Sequence, residues 1–191
     1  MVKMKNIINE AEKFALSEIE KWGAPSKIIF DYSNMKGLEL AKMLNVDENI
    51  VQIGTRLMDI KLGECYKNGI IQEHIKEGVE ETKRFLDRFD LDKETKNKII
   101  NCVKTHHGTA PYIFKEAEIC ANVDCYRFIK ARNVFAFIAD LSKEGLELDK
   151  IIEFVEEKLE EKWNILSLDI CKEELKDDYR IVKEFLNKVK L

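Results

Sequence analysis

Residues 114–141 read FKEAEICANVDCYRFIKARNVFAFIADL. The stretch contains neither glycine nor proline, and its apolar side chains fall on several sides of a 3.6-residue period. It predicts one long helix buried on more than one face, with the core centred on it. Asp124 lies within that helix. A carboxylate in so apolar a setting costs several kcal/mol if it is buried alone, so it lies on a narrow polar face, in an ion pair or on a metal.

The flanking segments carry the same period. Residues 6–22 place Ile7, Ile8, Ala11, Phe14, Ala15 and Ile19 at helical spacings until Gly23 and Pro25 stop the run. A second helix follows through Met35, Leu38, Ala41 and Leu44. Asp47 is placed to cap the next one, which carries the segment RLMDIK at 56–61. Residues 70–89 keep helical intervals through Ile71, Ile75, Val79, Phe85, Leu86 and Phe89. A further helix over 92–107 ends in the pair His106–His107, with Gly108 and Pro111 as the stop. After Gly145 two strongly charged amphipathic helices follow, with apolar stripes at Ile151, Ile152, Val155 and Leu159 and at Tyr179, Val182, Phe185 and Leu186. No sustained period-two run and no internal repeat interrupts this pattern. The expected fold is therefore all-α, a single domain over 1–191 with its core at about 30–130 and residues 145–191 as a peripheral helical pair.

Composition limits the function classes. The chain has 191 residues, Lys+Arg 32 against Asp+Glu 36, and a formal net charge of -4. Nothing in that balance draws it to nucleic acid or to an anionic membrane, so any phosphate binding must be local. No apolar run approaches the roughly 20 residues of a membrane span, which points to a soluble, cytoplasmic protein. The five cysteines, Cys65, Cys102, Cys120, Cys125 and Cys171, form no CxxC pair and read as reduced, buried thiols. Oligomeric state is left open, with a homodimer among the states allowed.

The ionisable residues that stand out are Asp59, His74, His106, His107 and Asp124, and the three histidines among them are all that the chain has. Metal ions of hard or intermediate character take imidazole and carboxylate ligands gathered from several segments. Each residue also has an ordinary role available. The aspartates can pair with cations such as Arg56 and Arg127, paired histidines suit a helix C-terminus, and His74 suits a first helical turn.

Taken together, RLMDIKLGE, IIQEHIKEGVEETKRFL, KIINCVKTHH and EAEICANVDCYRFI resemble, in order and context, the HD superfamily of metal-dependent phosphohydrolases over about residues 30–130. The resemblance implies a helical bundle of that family. It also implies Asp59, His74, His106, His107 and Asp124 as ligands of a divalent transition metal, with Gly78 as the small residue after His74. Paired histidines of this kind help to hold the second ion of two-metal members, with the aspartate of the doublet bridging. Two departures stand out: the family's His-Asp doublet is Met58-Asp59 here, and Ser33 or Asn34 stands about where the first family histidine belongs. A thioether or carboxamide is a poor ligand for such ions. What remains is one position with Asp59 and three histidines, suited to manganese, iron, zinc, cobalt or nickel. Two readings follow: a metal-dependent phosphohydrolase acting on a phosphate-containing small molecule, nucleotides foremost, or a catalytically inactive HD-like module that binds a ligand or protein. In the first reading Asp59, Lys61, Lys104 and Arg127 are the candidate catalytic residues.

Overall fold

A computed structural model of the chain describes residues 2–190, with side chains for residues 4–190. Among the described residues every regular element is helical, so the fold is an all-α bundle, as the breaker-poor sequence predicts. None of these helices is long and apolar enough to cross a membrane. The chain groups into two compact units, residues 1–121 and 122–191, and the division falls inside a helix rather than at the change of character after Gly145.

The first unit comprises α1 (Val2–Trp22), α2 (Lys27–Met43), α3 (Glu48–Leu57), α4 (Leu62–Lys67), a 3-10 turn at Ile71–Glu73, α5 (His74–Asp87), α6 (Lys93–Thr105) and the start of α7 (Lys115–Ile129). Its centre is α3, which packs on α1, α2 and α6, while α5 lies along α6. Ile50, Val51, Ile53 and Leu57 of α3 are buried, so this short helix is apolar on nearly every side that matters. Asp47 caps it, accepting from the backbone N–H of Asn49 at 2.9 Å and of Ile50 at 3.3 Å. Asp92 caps α6 in the same way through Thr95 N–H at 2.8 Å. Gly108 takes φ +69°, a left-handed conformation that glycine adopts without strain, and turns the chain away after the histidine pair.

One close approach fixes the relation of α3 to α6. A Cβ on Gly54 would lie 2.7 Å from Cys102 Cβ and 3.0 Å from the sulfurs of both Cys102 and Cys120. The α3 backbone therefore sits against α6 at a distance that only glycine allows. Gly54 lies five residues before Asp59 and Cys102 four before His106, so the contact stands about one turn behind both of these side chains. The Cys102 thiol is inert: burial, followed by the neighbouring Cys120, pushes it well above the ordinary thiol range. All five cysteines are buried and reduced, as the sequence predicts.

The second unit holds the end of α7 with α8 (Ala131–Lys143), α9 (Leu148–Ile165) and α10 (Asp169–Val189), and α8, α9 and α10 pack on one another. The single long helix expected over 114–141 is two helices, broken at Lys130, where ψ turns to 117°. Side-chain bonds, those of Asp178 from outside the stretch and that of Asn133 from within it, support the break. Asp178 of α10 accepts from Ala131 N–H at 2.9 Å and from Lys130 Nζ at 2.8 Å, and Asn133 Nδ2 donates to the Tyr126 carbonyl at 3.1 Å. The expected stripe at Ile151, Ile152, Val155 and Leu159 is buried, as are Val182 and Leu186, whereas Phe185 is 42% exposed. Trp163 stacks on Tyr179 with ring centroids 4.3 Å apart. Asn122 accepts from Ser167 N–H and Leu168 N–H, tying α7 to the α9–α10 turn.

Because Gly54 sets the α3–α6 distance, Gly54→Ala is expected to overpack the contact and to destabilise the protein by about 1–3 kcal/mol. Urea unfolding followed by far-UV circular dichroism measures this, and an unchanged midpoint would show that the contact has slack.

Candidate metal centre

Asp59, His74, His106 and His107 converge in the first unit, each from the end or start of a helix. Asp59 stands in the turn that follows α3, just past Met58, and its carbonyl accepts from Leu62 N–H at the start of α4. His74 is the first residue of α5, His106 caps the C-terminus of α6, and His107 follows it before Gly108. One ligand atom from each of the four lies within 4.8 Å of the others. Three of the residues are buried and His107 is half-buried. The rings confirm the grouping, with centroid separations of 4.4 Å for His106–His107, 4.9 Å for His74–His107 and 5.9 Å for His74–His106.

The hydrogen bonds of two rings determine what they offer. His74 Nδ1 lies 2.6 Å from the Ile71 carbonyl oxygen, and His106 Nδ1 lies 2.7 Å from that of Val103. A carbonyl oxygen only accepts, so each Nδ1 carries the hydrogen and donates it. In a neutral imidazole the other nitrogen, Nε2, then bears the lone pair. This is the arrangement that orients imidazole ligands in metal sites. His106 Nε2 lies 3.5 Å from Asp59 Oδ1. Two electron-rich atoms at that distance are favourable when they share a cation, whether a proton or a metal ion.

The donor set also fits an ion in size and type. Bonds of about 2.0–2.1 Å place tetrahedral ligands roughly 3.3 Å apart and opposite octahedral ligands roughly 4.2 Å apart. With all four atoms within 4.8 Å of one another, no pair stands more than about 1.5 Å beyond the tetrahedral spacing or about 0.6 Å beyond the octahedral one. The buried Asp/His group can therefore hold a metal ion. Three imidazoles and one carboxylate also leave room around a metal for water, the feature that separates open sites from closed structural ones.

Asp124, the fifth ligand suggested by the sequence, belongs to the second unit and is 2% exposed. Its carboxylate accepts from Lys162 Nζ at 2.7 Å, and Lys162 is 1% exposed. Burial pushes the Lys162 ammonium towards neutrality, but the Asp124 charge and hydrogen bond outweigh it and hold its pKa above the ordinary lysine value. Sequence reasoning looked to Arg127 for this partner and missed Lys162. The signal was present in register, since Lys162 continues the buried stripe of Ile151, Val155 and Leu159 on α9. Arg127 instead lies over the rings of Phe128 and Phe137, with its guanidinium carbon 5.1 Å from each centroid.

Of the other candidates, Lys61 donates to Glu18 at 3.3 Å and to Glu64 at 2.7 Å, and Lys104 is exposed on α6. Burial opposes the charge on Lys61, yet the bonds to Glu64 and Glu18 leave its pKa raised. Met58 is buried, and Asn34 Oδ1 accepts from Thr55 Oγ1 at 2.8 Å. An open cleft reaches Asp59 from the side of α1 and α2, and Met58, Thr55, Ser33, Arg56 and Glu18 line it.

Comparison with protein-family models, with curated proteins and with solved structures returned no match to this chain.

Removing Lys162 leaves Asp124 buried without its cation. Lys162→Met is expected to cost about 3–5 kcal/mol, and the Asp124→Asn/Lys162→Met pair distinctly less. Denaturant unfolding at neutral pH measures both, and a double variant no better than the single would refute the pairing argument. The folded pKa of Lys162 exceeds its unfolded value, so the contribution of Lys162 ionisation is complete below about pH 10.4 and fades as pH rises through the folded value.

Proposed function

We propose that Asp59, His74, His106 and His107 hold one transition-metal ion and that the protein is a metal-dependent hydrolase of phosphate esters, with nucleotides foremost as substrates. The observation that carries this reading is the pair of Nδ1–H bonds to the Ile71 and Val103 carbonyls, which turn the lone pairs of His74 and His106 outward while His106 Nε2 approaches Asp59 Oδ1. The order of the four residues along the chain, similar to that of the HD superfamily, supports it. The donor set suits manganese, iron, zinc, cobalt or nickel.

When bound, such an ion supplies Lewis acidity and activates water near neutral pH. The chain's own residues do the rest. Asp59 contributes a negative charge that offsets part of the cation's, and the imidazoles hold position without charge. The histidine pair closes the group from one helix end, so a single backbone segment sets two ligands. Buried Met58 and the bond between Asn34 and Thr55 favour a second reading, a catalytically inactive HD-like module, because both positions where the family carries histidines hold poor ligands.

Elemental analysis of untagged protein, purified without chelator, tests the centre. About one transition-metal ion per chain is expected, and His106→Ala/His107→Ala is expected to lose it while keeping its helical circular dichroism. Failure to take up manganese, iron, zinc, cobalt or nickel overturns both the centre and the hydrolase. With metal bound, hydrolysis of p-nitrophenyl phosphate, its diester and a nucleotide panel is expected. Full metal without turnover on any of them would select the inactive module.

A further inference from the structure

The shallow cleft that reaches Asp59 has largely apolar walls, with Ile19, Pro25, Ile29 and Phe30 among them. Its charged lining residues are Glu18, Arg56 and Asp59, so Arg56 is the one cation among the described residues that form it. Asp59 belongs to the cleft and to the metal-binding group alike. Arg56 precedes it by three residues, about one helical turn.

The bonding of Arg56 is ordered but incomplete. Its side chain is only 11% exposed. Nε and Nη2 donate to Glu12 Oε2 at 3.2 and 2.9 Å, and Nη1 donates to the Gln52 carbonyl at 2.9 Å. A guanidinium has five N–H donors in a rigid fork. Three are engaged, which orients the plane and leaves one donor on each terminal nitrogen for a further acceptor. Glu12 is 45% exposed, so water screens its hold on the guanidinium and an incoming anion can compete with it. Lys61, the nearer candidate in sequence, is instead bound by two carboxylates.

We propose that Arg56 is the oxyanion-binding residue of this cleft, holding the phosphate group of the substrate beside Asp59. This rests on the metal-centre reading given above. An oxyanion in the cleft meets a fixed guanidinium whose apolar surroundings strengthen the contact, while the centre that includes Asp59 attracts it from the other side. Arg56 then binds and orients the substrate, and the ion with its four ligands stays independent of it.

The test uses inorganic phosphate as the probe and the visible spectrum of the cobalt(II)-loaded protein as the readout, with no turnover required. Phosphate is expected to shift the wild-type cobalt bands saturably. Arg56→Met is expected to keep its cobalt and its helical circular dichroism but to bind phosphate at least about tenfold more weakly, with Arg56→Lys in between. Should Arg56→Met fail to fold, Glu12→Gln decides: removing the competing carboxylate is expected to tighten phosphate binding severalfold. Wild-type protein that takes no cobalt overturns the metal centre and this assignment together. Cobalt uptake with phosphate leaving the bands unmoved, with undiminished phosphate affinity in Arg56→Met, or with no gain in Glu12→Gln overturns the Arg56 assignment alone.

Discussion

Two imidazole N–H groups donate to carbonyl oxygens one turn back along the chain, His74 to Ile71 and His106 to Val103, and the character of the site follows from those bonds. In the neutral ring each bond selects a tautomer, and for His106 that tautomer puts the lone pair on the nitrogen that faces Asp59. Had either ring donated from Nε2, the group would be a small hydrogen-bonded cluster with no need of a cation. With the lone pairs fixed, a carboxylate oxygen 3.5 Å from one of them makes sense chiefly as part of a shared cation site.

The helices bring these atoms together because α3 and α6 touch backbone to side chain at Gly54. Any Cβ there would collide with Cys102, and the displaced helix would carry Asp59 away from His106. The apolar packing of the first unit and the polarity of its site are thus one constraint seen at two depths. Cys102 serves by being small and inert, since buried sulfur accepts the close contact and its raised pKa keeps it from reacting.

The two buried aspartates differ in how the chain compensates them. Asp124 receives a lysine ammonium from α9, an arrangement complete within the second unit. Asp59 faces the Nε2 atom of His106 at 3.5 Å, a nitrogen that can carry a proton or a metal ion. Both would be costly if left alone in the interior. A fixed organic cation closes one site; an arrangement of lone pairs keeps the other able to take an ion.

Much of this was legible in the sequence. Helical periods, the capping aspartate Asp47 and the stop at Gly108 are local facts, settled within a turn or two of chain, and the all-α fold follows from them. The four residues that converge were also visible as candidates, because histidines confined to two helix ends are unusual enough to mark. The break at Lys130, the pairing of Asp124 with Lys162 and the orientation of Arg56 by Glu12 were not, because each depends on a partner some 38 to 48 residues away. Sequence determines what a short segment does against its own backbone and which faces it buries. Only the tertiary structure decides which charges meet, because that choice is made by the packing that brings distant segments within about 3 Å of each other.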